Sequence, residues 1–242
     1  MTHTLVILTK NEIEGLNAIF PKIDRSLFCE ILALDGGSSD GSIAFYASHG
    51  IYPPTRQKIL YGDCFRYAAN HAKGDTVTFF RPDGNEDPSD LPKLIKKIEA
   101  GADHVIASRF LPESRNEEDD QVIKLRAWAN RSLTWLANAF FRKKGPYITD
   151  TINGYRIIRT QALKDLHLDA PRFSIEYQMT IRSWKLGHRM EEVPTIEGNR
   201  IGGQVKAQSI PVGIDMVKTL FHEKAIGLSF AKSGLMSGTE GL

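Results

Sequence analysis

The sequence predicts an α/β fold, a mostly parallel sheet with helices on both faces. Three observations lead there. Short, almost wholly apolar runs recur through the first half of the 242 residues, as strands buried on both faces require. Segments with helical spacing separate them, and this alternation builds parallel sheets. Polar residues collect just beyond the apolar runs, where open sheets of this class bind ligands.

The elements follow in order. Residues 4–9 (TLVILT) read as the first strand, ending at the polar Lys10-Asn11-Glu12, and a helix runs on to about Phe20. Residues 30–35 (EILALD) repeat the strand pattern. The turn GGSSDGS at 36–42 offers glycine freedom and Ser or Asp caps for the next helix. A helix over about 63–72 precedes a third strand at 76–80 and the loop RPDGNEDP at 81–88. Residues 90–100 have helical spacing and stop at Gly101, and 104–108 read as a fourth strand. Residues 112–120 form a charged loop, expected to be mobile. In the long helix that follows, Val122, Leu125, Ala129, Leu133, Leu136 and Phe140 fall on one apolar face widened by Trp128 and Trp135. Arg142-Lys143-Lys144 then places positive charge at its C-terminus. That face suits either core packing or an interfacial helix against anionic lipid. Residues 212–221 form a second amphipathic segment, suited to lipid or to a second subunit. The Gly- and Ser-rich tail from 232 is expected to fray.

Composition narrows the function. With 25% charged and 41% apolar residues the chain is globular, and 242 residues suit one large domain. A formal charge of +2 argues against a uniform nucleic-acid-binding surface. The two cysteines, Cys29 and Cys64, lack zinc-site spacing and read as reduced and structural. Neither a signal peptide nor an apolar run of roughly 18 to 20 residues is present, so a cytoplasmic location is expected, with any membrane contact peripheral.

The strand ends carry Thr9 to Glu12, Asp35 to Ser38, Asp83 to Asn85, and Ser108-Arg109, clusters expected to converge on one crevice. A carboxylate fixed at a strand end, Asp35, either receives hydrogens from a nucleobase or ribose or merely caps its turn. Asp83 is either a ligand to a divalent cation bridging nucleotide phosphates or part of a proline-flanked surface turn.

These residues also carry a resemblance. Leu8-Thr9-Lys10-Asn11-Glu12, Asp35-Gly36-Gly37-Ser38-Ser39-Asp40-Gly41-Ser42, Gly62, Ala72-Lys73-Gly74-Asp75 and Ala107-Ser108-Arg109-Phe110 occur in the order of the motifs of family 2 glycosyltransferases. So do Asp150-Thr151 with Asn153-Gly154-Tyr155-Arg156, Phe173-Ser174-Ile175-Glu176, Glu192-Val193-Pro194 and Arg200-Ile201-Gly202-Gly203-Gln204-Val205-Lys206. Over roughly residues 4 to 208 the chain resembles the dolichyl- or polyprenyl-phosphate mannose synthase-like branch. Two departures stand out. Arg81 replaces the first acid of the family's Asp-x-Asp metal motif, and Gly36 replaces the second acid of the second-strand pair.

The resemblance implies a GT-A fold with a Rossmann-like nucleotide-binding half, over residues 1–210, followed by a C-terminal amphipathic helix and tail at 211–242. It implies inverting transfer of a hexose from GDP-mannose or a UDP-sugar to a polyprenyl or dolichyl phosphate. Such an acceptor is already anionic, so positioning and stabilisation of the departing diphosphate carry the catalysis. The implied catalytic residues are Asp83, Glu176 and Arg200. Thr9, Asn11, Glu12, Asp35, Ser38, Gly62 and Arg81 are the nucleotide-binding candidates. Arg109, Arg126, Arg131 and Lys206 are the phosphate-binding candidates, and Asp83 with Asn85 the candidates for Mg²⁺ or Mn²⁺. The metal requirement stays open, because a guanidinium at 81 can neutralise diphosphate charge itself. Two other readings stay open as well: transfer to a soluble saccharide or protein, with Glu176 as base, and a nucleotide-sugar-binding protein without turnover. A homo-oligomer is a further possible assembly.

Overall fold

The structure is a computed structural model and describes residues 1–53, 60–119, 125–202 and 209–231. In chain order the elements are β1 (His3–Thr9), α1 (Ile13–Ile19), β2 (Glu30–Asp35), α2 (Ser42–Ser48), α3 (Tyr61–His71), β3 (Thr76–Phe80), α4 (Leu91–Glu99) and β4 (His104–Ser108). Then come α5 (Leu125–Phe141), β5 (Arg156–Arg159), α6 (Thr160–Asp165), α7 (Ile175–Leu186), β6 (Met190–Pro194) and α8 (Ser209–Ile226). The strands form one sheet in the order β2-β1-β3-β5-β4-β6. All neighbours run parallel except β5, which is antiparallel to both β3 and β4. Strands β1, β3 and β4 are buried along their whole length, which is why they read as unbroken apolar or Thr-bearing runs.

Two consequences position the site. The chain passes from β1 to β2 on one side and returns to β3 on the other, creating a switch point beyond the carboxyl ends of β1, β2 and β3. Because β5 is reversed, the residues that lead into it, 150–155, lie at the same sheet edge as those carboxyl ends. Six chain segments therefore meet along one rim.

Helices cover both faces. On one, α1 and α4 bury Leu16, Ile19, Leu91, Leu94, Ile95 and Ile98 against Leu5, Ile7 and Val105. The α4 residues recur at steps of one, three and four, the signature of one helix face. On the other, α3, α6 and α7 bury Phe65, Ala68, Leu163, Ile175 and Met179 against Val6, Val77 and Phe79, with Phe65 and Phe79 stacked at 4.2 Å. A third cluster joins α5, α7 and α8 through Leu133, Ala137, Phe141, Tyr177, Ile181, Met216 and Leu220. Fully burying each of the Leu, Ile, Val, Phe and Met side chains among these contributes about 1.5–3 kcal/mol. Helix α8 is thus packed into the body of the molecule.

Two expectations are corrected. The inward face of α5 is Ala127, Leu133, Thr134, Ala137, Asn138 and Phe141, while Leu125, Trp128, Trp135 and Phe140 face outward at 43–67% exposure. Polar side chains cause the rotation: Asn138 bonds both the N–H and the carbonyl of Ile148, and Thr134 bonds Thr151. The charged loop, described as far as residue 119, is pinned instead of mobile. Asn116 and Glu118 are buried, and Glu197 accepts from Asn116 Nδ2 and from the Glu117 N–H. Val122, Lys206 and the tail from 232 lie outside the described residues.

Candidate active site

At the end of β1 the chain turns through Asn11, whose φ of +52° is a left-handed conformation that few residues other than glycine adopt. Ser38 Oγ accepts from the Asn11 N–H at 2.7 Å, and Asn11 Oδ1 accepts from the Ser39 N–H at 2.8 Å, so the β1 and β2 loops are tied together. Asp35 is 3% exposed; its Oδ1 accepts from the Gly37 and Ser38 N–H groups and its Oδ2 from Ser38 Oγ. Its oxygens thus cap its own turn. Thr9 bonds the buried Tyr46 hydroxyl behind the rim.

Arg200 reaches across from the segment after β6. Its Nη1 donates to Asp83 Oδ2 at 2.8 Å and its Nη2 pairs with Glu12, joining the β1 and β3 ends through one guanidinium. Around it the backbone interlocks: the Ile201 N–H donates to the Asp83 carbonyl at 2.7 Å, and Asn85 Nδ2 donates to the Gly198 carbonyl at 2.8 Å. Asp83 Oδ1 accepts from the Asn85 N–H. Arg81 Nε donates to the buried Glu86 at 2.8 Å. Burial pushes the Glu86 carboxyl up to about 7, against the opposing pull of Arg81.

Arg109, at the end of β4, is 9% exposed and gives Nε and Nη2 to Asp150 at 2.7 and 3.1 Å and Nη1 to Glu197 at 3.4 Å. Burial alone would raise the Asp150 carboxyl, but Arg109 and backbone N–H donors hold it below the ordinary carboxylate value. Glu176, in the first turn of α7, is 3% exposed and accepts from the Tyr61 hydroxyl at 2.5 Å. Its other oxygen is buried without a hydrogen-bond partner. Burial raises its carboxyl above the ordinary glutamate value while the Tyr61 hydrogen bond works the other way.

A cavity of about 670 Å³ opens here. Arg81, Arg109, Asn153, Gly154 and Glu176, all buried or half-buried, line its inner end, and the exposed Leu125, Ala129, Ile210, Ile214 and Val217, with Lys218, line its outer end on α5 and α8. Arg126 lies along it too, paired with Glu117.

The structure thus brings together Glu12, Arg81, Asp83, Asn85, Glu176 and Arg200, with Asn11, Asp35 and Ser38 beside them. It separates Gly62 and Arg131 from them, and it commits the donors of a third, Arg109, elsewhere. Gly62 is a packing residue: a Cβ there would press on the Ala170 carbonyl oxygen and sit 2.9 Å from that of Pro171. Arg131 lies over the Phe110 ring at 5.1 Å and lines a separate hollow with Trp135 and Leu136. Arg109 lines the cavity but spends its donors on Asp150 and Glu197. Sequence reasoning missed Tyr61, whose partner is 115 positions away, and Asp150 as the anchor of Arg109.

A switch-point crevice lined by strand-end acids and arginines thus opens to the cavity. Residues 4–166 match the family Glycosyl transferase family 2, and the chain belongs to it. The undecaprenyl-phosphate mannosyltransferase of Micrococcus luteus is 27% identical over 86% of this chain and 88% of its own length. The polyprenol monophosphomannose synthase of Mycolicibacterium smegmatis is 28% identical over 79% of this chain and 76% of its own. The glycosyltransferase AglJ of Haloferax volcanii is 27% identical over 77% of this chain, which spans only 60% of that relative. Among solved structures, glucosyl-3-phosphoglycerate synthase from Mycobacterium tuberculosis, in complex with Mn²⁺, uridine diphosphate and glucosyl-3-phosphoglycerate, superposes with a TM-score of 0.68. It is 17% identical, over 93% of this chain and 80% of that one, a likeness of fold.

Proposed function

We propose that the protein transfers a hexose from a nucleotide-diphosphate sugar to a polyprenyl phosphate. One observation carries the acceptor: a single cavity joins the buried charged groups Arg81, Arg109 and Glu176 to an exposed end where apolar side chains of α5 and α8 stand with only Arg126 and Lys218 as charges. A phosphate on an isoprenoid chain has that polarity. The names of the Micrococcus and Mycolicibacterium relatives support the same acceptor class.

The donor's nucleotide lies against the β1 and β2 loops and its diphosphate near Asp83 and Arg200. A divalent cation fits here in company with the donor. Asp83 and Asn85 offer hard oxygen ligands, and Mg²⁺ characteristically takes one or two carboxylates with substrate phosphates. The described residues contain no group of three or more Asp, Glu, His or Cys that would hold an ion by themselves. When bound, the cation neutralises charge on the departing diphosphate. For Asp83 Oδ2 to serve as a cation ligand Arg200 would give up its hydrogen bond there, and its guanidinium would then be available to phosphate oxygens. The acceptor phosphate oxygen attacks the anomeric carbon as the bond to the diphosphate breaks, with inversion. Arg126 at the cavity wall steadies the acceptor phosphate.

The test is transfer of labelled hexose from GDP-mannose and UDP-glucose to polyprenyl phosphate in detergent, set against free saccharides, with Asp83→Ala as control. Lipid-linked product that falls at least a hundredfold in the variant is expected. Transfer to saccharide alone would overturn the acceptor, and donor binding without any turnover would leave a binding protein.

A further inference from the structure

Three polar side chains from three elements converge over Gly154. A Cβ built there would lie 3.2 Å from Glu176 Oε1, 3.4 Å from the Tyr61 hydroxyl and 3.6 Å from Arg81 Cζ. Only the missing side chain keeps that space open. Each group is fixed and incompletely used. Tyr61 packs its ring against Phe173 at 4.4 Å and aims its hydroxyl at Glu176 Oε1. That leaves Glu176 Oε2 buried with no donor, an expensive omission inside a protein. Arg81 gives Nε to Glu86, and among the described residues its two terminal amino groups have no partner. The resemblance places an acid, a metal ligand, at position 81; here a fixed hydrogen-bond donor faces the Glu176 carboxylate across the space over Gly154.

The chemistry of that pair selects its ligand. A phosphate brings only acceptors: it would satisfy Arg81, leave Glu176 Oε2 unmet and set two negative charges together. A sugar hydroxyl is both donor and acceptor, and two neighbouring hydroxyls can give a hydrogen to Glu176 while taking one from Arg81. The geometry points to a sugar-reading subsite made by Tyr61, Arg81 and Glu176 over Gly154, in which Glu176 and Arg81 bind two adjacent hydroxyls of the donor hexose and Tyr61 positions Glu176. This rests on the donor class proposed above. Arg81 thereby serves hexose selection at a position the family gives to metal binding.

Titration calorimetry separates the two proposals. UDP, UDP-glucose, GDP and GDP-mannose are each titrated, with Mg²⁺, into the wild type, Gly154→Ala and Tyr61→Phe. Gly154→Ala fills the subsite with a methyl group at a backbone position that carries no positive φ, and Tyr61→Phe removes one hydroxyl. Both variants are expected to weaken the preferred sugar conjugate about tenfold while leaving its bare nucleotide within about twofold, the scale of a lost hydrogen bond to a charged group. In Tyr61→Phe, the fall in conjugate affinity at low pH should also move. Conjugate affinity unchanged in both variants, or nucleotide and conjugate weakened alike, would overturn the subsite alone. A wild type that binds none of the four ligands would overturn the donor class and the subsite with it.

Discussion

Gly62 and Glu176 show how differently two motif residues can serve one site. Gly62 lets the first turn of α3 approach the chain at 170–171, its own N–H bonding the Pro171 carbonyl at 3.2 Å. Gly62→Ala should therefore lower stability, by about 1–3 kcal/mol on the scale of overpacking, with nucleotide affinity of the folded fraction unchanged. Urea unfolding beside calorimetry checks both halves. Glu176 has two pH signatures of opposite sign. Its ionised form accepts the hydroxyl, and burial raises its pKa, so kcat/KM should fall with acid at a pH above 4.5, the ordinary value, and Glu176→Gln should flatten that limb. For stability, a carboxyl raised in the folded state holds its proton more tightly there than in the unfolded chain. Stability relative to Glu176→Gln should hence be greatest below about pH 4.5 and decline as pH rises through the folded pKa. A rising difference over that window would mean the carboxyl is not raised.

Among the elements, α8 has the most consequential anchor. Glu223 is fully buried and accepts from Arg182 Nε at 2.8 Å, Gln178 Nε2 at 2.9 Å and Lys185 Nζ at 2.6 Å, all from α7. Glu223→Ala would strand the fully buried Arg182 against Asp169 and backbone carbonyls. A loss of about 3–5 kcal/mol is expected, read as the shift in urea midpoint, with α8 amides exchanging first. What the sequence disclosed of the elements follows the same logic of local against distant cause. Strands β1, β3 and β4 were legible because burial on both faces writes itself into consecutive residues, and β2, half-buried over its first three residues, was legible from its apolar run at 31–34. β5 was not: four residues with an arginine at each end, reversed between two longer strands, carry no local signature. The inner face of α5 was misread because Thr134 and Asn138 look solvent-facing until Ile148 and Thr151 are placed beside them. The strand-end acids of the site were legible for the reason the strands were, whereas the Arg200 bridge and the Tyr61 contact depend on chain segments brought together only by the whole sheet.

At the scale of the molecule, the described helices include none long and apolar enough to cross a membrane, yet the outer end of the cavity opens onto an unusually apolar surface. Trp128, Trp135 and Phe140 are exposed on α5, as are Ile210, Ile214, Val217 and Phe221 on α8, and Lys224 lies over the Phe140 ring at 4.1 Å, joining the two helices. The exposed Arg142, Lys143 and Lys144 follow α5 directly, and Lys218 lines the cavity, adding positive charge to these helices. An apolar face rimmed by cations is the makeup of an interfacial docking surface, and a polyprenyl phosphate is reached only from such a surface. The protein should therefore co-sediment with vesicles containing anionic lipid, less with neutral ones, and more weakly as salt rises. Trp128→Ala with Trp135→Ala should reduce binding at both salt concentrations, because the lost term is apolar. Lys143→Ala with Lys144→Ala should reduce it chiefly at low salt, by about 1 kcal/mol for each cation that sits near the surface. Neither pair lines the inner end of the cavity, so affinity for the nucleotide sugar in detergent-free solution should hold in both. Vesicle binding that ignores both pairs, together with a concentration-dependent dimer lost in the tryptophan variant, would assign this face to a second copy of the chain and leave the acceptor to arrive by another route.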